Sequence, residues 1–580
     1  MVFHPPNWAP TLPELPDSIT IEEFVNNEEY GRCPFASARN PFTCGITGFS
    51  RSAAEVAQRT DLLARAISKR LGFSPNQDTA WDRVVAVFSL NTIDYIPLTH
   101  AVHRLSGIVI PIGAASSLQE IEYQLRSSAI KAIFTCVPLL DTARKAARTA
   151  AVPDSRIFLL PLPGVSVTSG EPVVTVDDLI AEGSALPSVE PLRWVRGQGA
   201  RQPAYLCHSS GTSGLPKAIM VSHFNVIAVL KKISLVDSVP RKQLGMTTQV
   251  ALGALPFSHI YGLVLIAQVG QYRGDEIVVL PKFELTTTLE AIQRLRIQQL
   301  YVVPPMLIQI LRYEDQCAKY DLSSIRWVLC GAAPLGSEVT SRLQRKYPTW
   351  KIGQAYGEFP CLSETCGGTL CSIETDCLLG SSGSLLPGNT AKIIDSEGHE
   401  VTQYDVRGEL LVQSPSVVLG YLHNERANAE TFLYDEDGRW LRTGDEVLVR
   451  KSSNGHDHFF VTDRIKELIK VKGFQVAPAE LEAHLLNHHF VSDCAVISVP
   501  DDRAGEAPKA LVVKSREASN QPDVERILFK HVQDHKAEHK WLSGGIEFIE
   551  VVPRSASGKI LRRLLRDREA QRRKTQDAKL

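Results

Sequence analysis

Apolar positions along the chain follow two rhythms, one of helical period and one of short continuous runs. Ser52-Ala-Ala-Glu55 reads as a capping box, in which serine and glutamate satisfy each other's exposed N–H groups. Val56, Leu63, Ile67 and Leu71 then recur at helical spacing, and Gly72 ends the run. Strand-like runs follow at Val84–Leu90, Gly107–Ile112 and Ala132–Cys136, with a helical stretch at Leu118–Ser127 among them. The same alternation continues through Ala204–Cys207, Ile277–Leu280, Tyr301–Val303 and Trp327–Cys330. Strand alternating with helix predicts an α/β fold built on a largely parallel sheet.

From about Lys392 the pattern changes to short β segments such as Gly408–Gln413 and His458–Val461, separated by turns. A boundary is expected near Asp463. Beyond it Pro478 marks a helix start, where proline is tolerated, and Leu481 and Leu485 share a face. Strands at Ala495–Val499, Ala510–Lys514 and Glu547–Val552 complete a small α+β unit. The expected domains are therefore 1–462 and 463–565, followed by a basic tail over 566–580.

A chain of 580 residues exceeds one ordinary core, which fits this division. Net charge is −1, with 44% hydrophobic and 22% charged residues, so no nucleic-acid or anionic-membrane partner is expected. The basic run from Lys559 to Lys574 reads as a solvated helix face or extension. No apolar segment approaches the ~18 residues of a spanning helix. The N-terminus lacks a basic region followed by an apolar one, so no secretory signal is expected. Eleven scattered cysteines suit reduced thiols, and Cys361, Cys366, Cys371 and Cys377 cluster without C-x-x-C spacing. Ala578-Lys579-Leu580 differs from the peroxisomal tripeptide Ser-Lys-Leu by one small-for-small change, so a peroxisomal protein and an import receptor as partner are expected.

The most informative chemistry lies after Ala204–Cys207. Ser209, Ser210, Gly211, Thr212, Ser213, Gly214, Leu215, Pro216 and Lys217 combine glycines, hydroxyls and a terminal lysine. Such a loop lets backbone N–H groups approach phosphates and adds a mobile positive charge. It is not a P-loop, because Gly211 and Gly214 are too close and Leu215-Pro216 precede the lysine.

Five further segments contain what nucleotide chemistry needs. They are Pro256–Gly262 with His259 and Tyr261, Leu329–Gly336 with Ala332, Arg442–Asp445, Thr462–Gln475, and Pro553–Lys559. In this order and spacing they resemble the adenylate-forming superfamily, specifically acyl-CoA synthetases of the 4-coumarate–CoA ligase and firefly luciferase branch. The resemblance runs from about residue 50 to 565. It implies a large N-terminal adenylation domain, of α/β sheets plus a small β-barrel, and a small mobile α+β lid.

It also implies an AMP-forming acid–CoA ligase using ATP, Mg²⁺ and CoA. Ser209–Lys217 would hold the β- and γ-phosphates, and Lys559 the α-phosphate and carboxylate. Asp445 and Arg464 would bind the ribose, with Ala332, Gln354 and Ala355 on the adenine or acyl side. Lys466 matches the hinge, and His259 and Lys470 match catalytic positions. Gln475 lies on the lid face that enters for the second step. Lys282, Lys472 and Gly473 match CoA contacts.

One motif departs from the family. Gln354-Ala355-Tyr356-Gly357 is followed by Glu358-Phe359-Pro360-Cys361 before Leu362-Ser363-Glu364. Reading those four residues as an insertion assigns the adenine-side hydroxyl to Ser363 and the Mg²⁺-associated carboxylate to Glu364, with Glu358 competing. The acyl pocket is expected near His259–Tyr261, Tyr301–Leu311, Gly331–Gly336 and Cys366–Leu386, with Tyr261 as a polar handle. Its lining suits an aryl-propenoic or medium-length aliphatic acid, and the branch includes fungal ligases of secondary metabolism. A carrier-protein loader, a luciferase-like oxygenase and a non-catalytic homologue share these motifs.

Overall fold

Two large sheets share one hydrophobic core. The computed structural model describes residues 1–165, 173–209, 217–356, 363–472, 474–501, 503–518, 521–555 and 558–577. In the seven-stranded sheet, the strands Ile108–Ile112, Val84–Phe88, Ala132–Thr135 and Ile157–Leu159 run parallel, and Pro203–Ser209 joins them. Lys217–Ser222 and Gly420–Tyr421 extend its edge antiparallel. In the nine-stranded sheet, Lys351–Tyr356, Trp327–Cys330, Gln299–Val302, Val250–Gly253, Glu276–Val279 and Phe42–Cys44 are successive parallel neighbours.

The strands bury side chains on both faces, which is why they read as continuous apolar runs rather than as alternation. Val85, Val109 and Tyr205 of one sheet belong to the same buried cluster as Leu252, Ile277 and Leu300 of the other. Parallel sheets present their binding crevices at the carboxyl ends of the strands. Those ends here lead to Ala332, to Tyr356 and to Ser209.

Local chemistry explains the helix limits. Ser52 and Glu55 form the expected reciprocal box, and Gly72 closes the helix Ala53–Leu71 at φ 71°. The helix Leu118–Ser127 and the strands Trp327–Cys330 and Gly408–Gln413 have the expected bounds. Glu547–Val552 does not. Only Ile546–Phe548 pairs in the sheet, and the chain then leaves it toward Pro553, with Val551 exposed and Val552 buried.

The expected small barrel takes the form of a six-stranded antiparallel unit with its own core of Phe3, Ile393, Val412, Val447 and Phe459. Its long strand Gly438–Lys451 pairs with Asp457–Arg464, so the expected boundary at 463 falls inside a strand. The lid is a five-stranded sheet covered on both faces. The helices Pro478–Leu486 and Val524–His535 pack on one face, and the helix Arg562–Asp577 on the other.

Of the two readings of 559–574, a solvated helix face or an extension, the run forms a helix with one exposed face and one packed on the lid. Leu565 is buried in the lid core. Arg562 donates two hydrogen bonds to Glu482, Arg566 pairs with Glu467, and Arg568 pairs with Glu547. Much of the run's charge is consumed within the lid.

Candidate functional site

The two walls of the cleft between the large domain and the lid come from distant parts of the sequence. Asp445 and Arg464 face each other across the antiparallel pair Gly438–Lys451 and Asp457–Arg464. Asp445 is fully buried, and Tyr356 donates a 2.6 Å hydrogen bond to its Oδ2. Its Oδ1 lies 3.3 Å from Arg464 Nε. Burial pushes the Asp445 carboxyl up to about 6, opposed by Arg464, the Tyr356 bond and the positive charge of Lys559.

Lys559 sits on a tight turn closed by Ser555, whose carbonyl accepts from Gly558 N–H and whose N–H donates to the Lys559 carbonyl, at 2.8 Å each. Arg554 braces the turn through the Gly558 carbonyl and Asp493. Gly558 has φ 84°, and a Cβ there would lie 3.1 Å from Val303 of the large domain. The backbone conformation and the close approach both call for glycine. Lys559, Arg464, Ala332 and Pro304 line one cleft.

Ala332 is buried at φ 61°, in the left-handed region that L side chains rarely adopt. The turn that carries it is pinned by Gln354, whose Oε1 accepts from Leu335 N–H at 2.8 Å and whose Nε2 faces the Leu335 carbonyl at 3.5 Å. The Gln354 amide thus holds the turn that carries Ala332. Ala355 lines a small cavity shared with Leu265, Tyr301, Leu329, Gly367 and Cys371.

Tyr261 differs from expectation. Its side chain is buried, and its hydroxyl donates to the Leu329 carbonyl at 2.9 Å, so the polar handle is anchored to backbone. His259 precedes a π-helix, Tyr261–Gln268. Gly262 is required there, because a Cβ would lie 2.2 Å from the Pro256 carbonyl oxygen.

Elsewhere in the large domain Lys217, Tyr421 and Glu364 lie together. Ser209 and Lys217 pair across the strands Pro203–Ser209 and Lys217–Ser222. The Lys217 ammonium lies 4.7 Å from the centre of the Tyr421 ring. Tyr421 donates a 2.6 Å hydrogen bond to Glu364 Oε1, while Oε2 is buried without a hydrogen-bond partner among the described residues. Ser363 is buried beside it. Ser210–Pro216, Glu358–Cys361, Gly473 and Ala578–Leu580 lie outside the described residues.

The expected CoA-side residues stand apart from this cleft. Lys470 and Gln475 pair in the lid hairpin Ile469–Val471 and Phe474–Val476, and both are exposed. Lys472, at φ 48°, lies 3.7 Å from Glu538 of the lid itself. Lys282 is exposed beyond the strand Glu276–Val279. Lys466 is exposed in the turn after Asp457–Arg464, where Glu467 and Leu468 N–H groups donate to the Arg464 carbonyl. Lys559 thus faces the large domain while Lys470, Lys472 and Gln475 face solvent.

Sequence reasoning missed Tyr421 and the role of Tyr356. Tyr356 stood inside a quoted motif, so its place was readable. Tyr421 meets Glu364 only through tertiary contact.

Comparison with known proteins follows this geometry. A family model described as AMP-binding enzyme matches residues 40–422, and one described as AMP-binding enzyme C-terminal domain matches 480–559. The chain is 38% identical over 575 residues to the acyl-CoA ligase easD of Emericella nidulans, covering 98% of this chain and 100% of that protein. An acyl-CoA ligase of Alternaria alternata is 41% identical over 575 residues, covering 98% of this chain and 97% of that one. The crystal structure of an anthranilate CoA ligase in complex with anthranoyl-AMP superposes with a TM-score of 0.78 at 22% identity, covering 95% of this chain and 98% of the other.

Proposed function

Because the chain belongs to the AMP-binding enzyme family, we propose that it is an acid–CoA ligase acting through an acyl-adenylate. The observation that carries the reading is that Lys559 of the lid lines one cleft with Arg464, the partner of the buried Asp445. A ribose site and a mobile cation meet there in one cleft.

In the first half-reaction a carboxylate oxygen attacks the α-phosphorus of ATP. The bond to the bridging oxygen breaks, and pyrophosphate leaves with that electron pair. Such transfer is catalysed mainly by positioning and by charge placed where charge develops. Lys559 supplies that charge from the lid, and Lys217 supplies it beside the Ser209 strand. Asp445 orients the nucleotide by accepting from ribose hydroxyls. Glu364 would hold Mg²⁺, since its buried Oε2 lacks a hydrogen-bond partner, and the ion would neutralise phosphate charge.

In the second half-reaction the CoA thiol sulfur attacks the acyl carbonyl and AMP departs. Lys470, Lys472 and Gln475 are on the other side of the lid, so this step calls for rotation about the turn at Lys466. Lys282, Lys472 and Gly473 are then available to CoA. The expected acyl-side residues Tyr301, Leu329 and Ala355 are aromatic or aliphatic, which favours an acid with an aromatic or medium-length aliphatic body. We place the enzyme in peroxisomes, in the activation of acids for secondary metabolism, on the strength of Ala578-Lys579-Leu580 and of the fungal relatives.

The test is carboxylate-dependent pyrophosphate release from Mg·ATP across aryl and aliphatic acids, with and without CoA. Release accelerated by CoA for one acid class supports the ligase. Release stimulated by a pantetheinylated carrier and not by CoA would replace it with a carrier loader. Silence across the panel, with ATP bound, would reject the activity for this chain.

A further inference from the structure

The lid carries a group of imidazoles that neither half-reaction uses. His484 stands on the helix Pro478–Leu486, and His531 and His535 on the helix Val524–His535. Four residues apart, the last two share a helix face. The rings of His484 and His531 lie parallel with centroids 4.2 Å apart, and His535 is 5.3 Å from the first and 5.2 Å from the second. One nitrogen from each ring falls within 4.8 Å of the other two.

Backbone carbonyls fix the tautomers. His484 Nε2 is 3.2 Å from the His531 carbonyl oxygen, and His531 Nε2 is 3.3 Å from that of His484. His535 Nδ1 is 2.9 Å from the His531 carbonyl oxygen. A carbonyl oxygen only accepts, so each of these nitrogens carries the hydrogen and the opposite nitrogen keeps its lone pair. Metal-binding imidazoles commonly have their second nitrogen anchored in this way. Neighbouring His488 differs, because its Nδ1 accepts from Phe490 N–H at 3.2 Å and the hydrogen sits on Nε2.

Packing does not account for the group. His535 is exposed, and an apolar contact there needs no imidazole. Charge nearby is already balanced, since Lys536 and Lys540 both pair with Glu480.

We propose that His484, His531 and His535 form a site for a borderline divalent transition metal such as Zn²⁺, separate from the Mg²⁺ position at Glu364. Three imidazoles with a fourth position open to water suit zinc, cobalt or nickel, whereas magnesium takes oxygen donors. Occupancy draws the nitrogens together to about 3.3 Å, the separation set by tetrahedral bonds of ~2.0 Å. His535 rotates at the helix surface, and the parallel rings of His484 and His531 turn out of their stack so that their lone pairs converge. The metal then adds a further link between two lid helices already joined by the imidazole–carbonyl hydrogen bonds.

The experiment uses untagged full-length protein, reduced and stripped with chelator, titrated with Co²⁺ spectroscopically and with Zn²⁺ by calorimetry. One equivalent bound at micromolar concentration, with a cobalt spectrum lacking thiolate charge transfer, is expected. His535→Ala, at an exposed position, and His484→Gln should each weaken binding by at least about tenfold. His535→Ala should leave adenylation with Mg·ATP alone unchanged. Undiminished affinity in His535→Ala, a thiolate band from cysteine ligation, or no binding at micromolar metal would overturn the site.

Discussion

Glu364 accepts a 2.6 Å hydrogen bond from Tyr421, and that bond engages one of its two carboxylate oxygens. The other oxygen is buried and carries no hydrogen bond among the described residues. A carboxylate so held is ready for a cation without first rearranging. Tyr421 also lies under the Lys217 ammonium, so one ring positions both a positive and a negative group.

Tyr421→Phe keeps the ring and removes the bond. A hydrogen bond to a charged group contributes about 1.5–3 kcal/mol, so adenylation at limiting Mg·ATP should fall roughly ten- to a hundredfold. The thermal midpoint should change little. Steady-state pyrophosphate release against Mg²⁺ concentration reads this, and unchanged kinetics would remove Tyr421 from the site.

Asp445→Asn should separate stability from function. The native carboxyl titrates near 6, above its unfolded value, so the folded chain binds the proton more tightly. The stabilisation linked to that proton is full below the unfolded pKa and disappears as pH rises through about 6. At pH 7.5 the buried charge is therefore a cost, and the asparagine variant should be more stable by about 1–3 kcal/mol. The gap should close toward pH 4, while adenylation is lost at every pH. Denaturant unfolding at both pH values measures it, and a gap independent of pH would contradict the assignment.

Lys559→Ala should lower acyl-AMP formation by two orders of magnitude or more, the order of effect seen when one transition-state donor is removed. Thioester formation from supplied acyl-AMP and CoA should be spared. Equal loss in both assays would sink a lid with two working faces.

Removal of Leu580 should shift a fluorescently labelled chain from punctate to diffuse distribution in cells. Persistent puncta would refute the targeting reading.

Much of the fold was legible because local signals agreed. Ser52 with Glu55 marked a helix start, and Trp327–Cys330 read as a strand because both of its faces are buried. Asp445, Arg464 and Lys559 were legible from motif order over the whole chain. Tyr421 was not, since its partner Glu364 is 57 positions away and nothing local marks it. The π-helix Tyr261–Gln268 was hidden because every residue in it is buried, which erases the periodicity that reveals a helix. Arg562 and Arg566 looked like part of a solvated tail because their partners, Glu467 and Glu482, lie some eighty to a hundred residues earlier.

Gly558 rests against Val303 as bare backbone against a methyl group. A latch of this kind has shape but no catch, because parting it breaks neither an ion pair nor a hydrogen bond at that point. Elsewhere the seam is held by the hydrogen bond from Arg312 to Ser492 and by the attraction between Lys559 and Asp445, so release waits on these and on the departure of pyrophosphate.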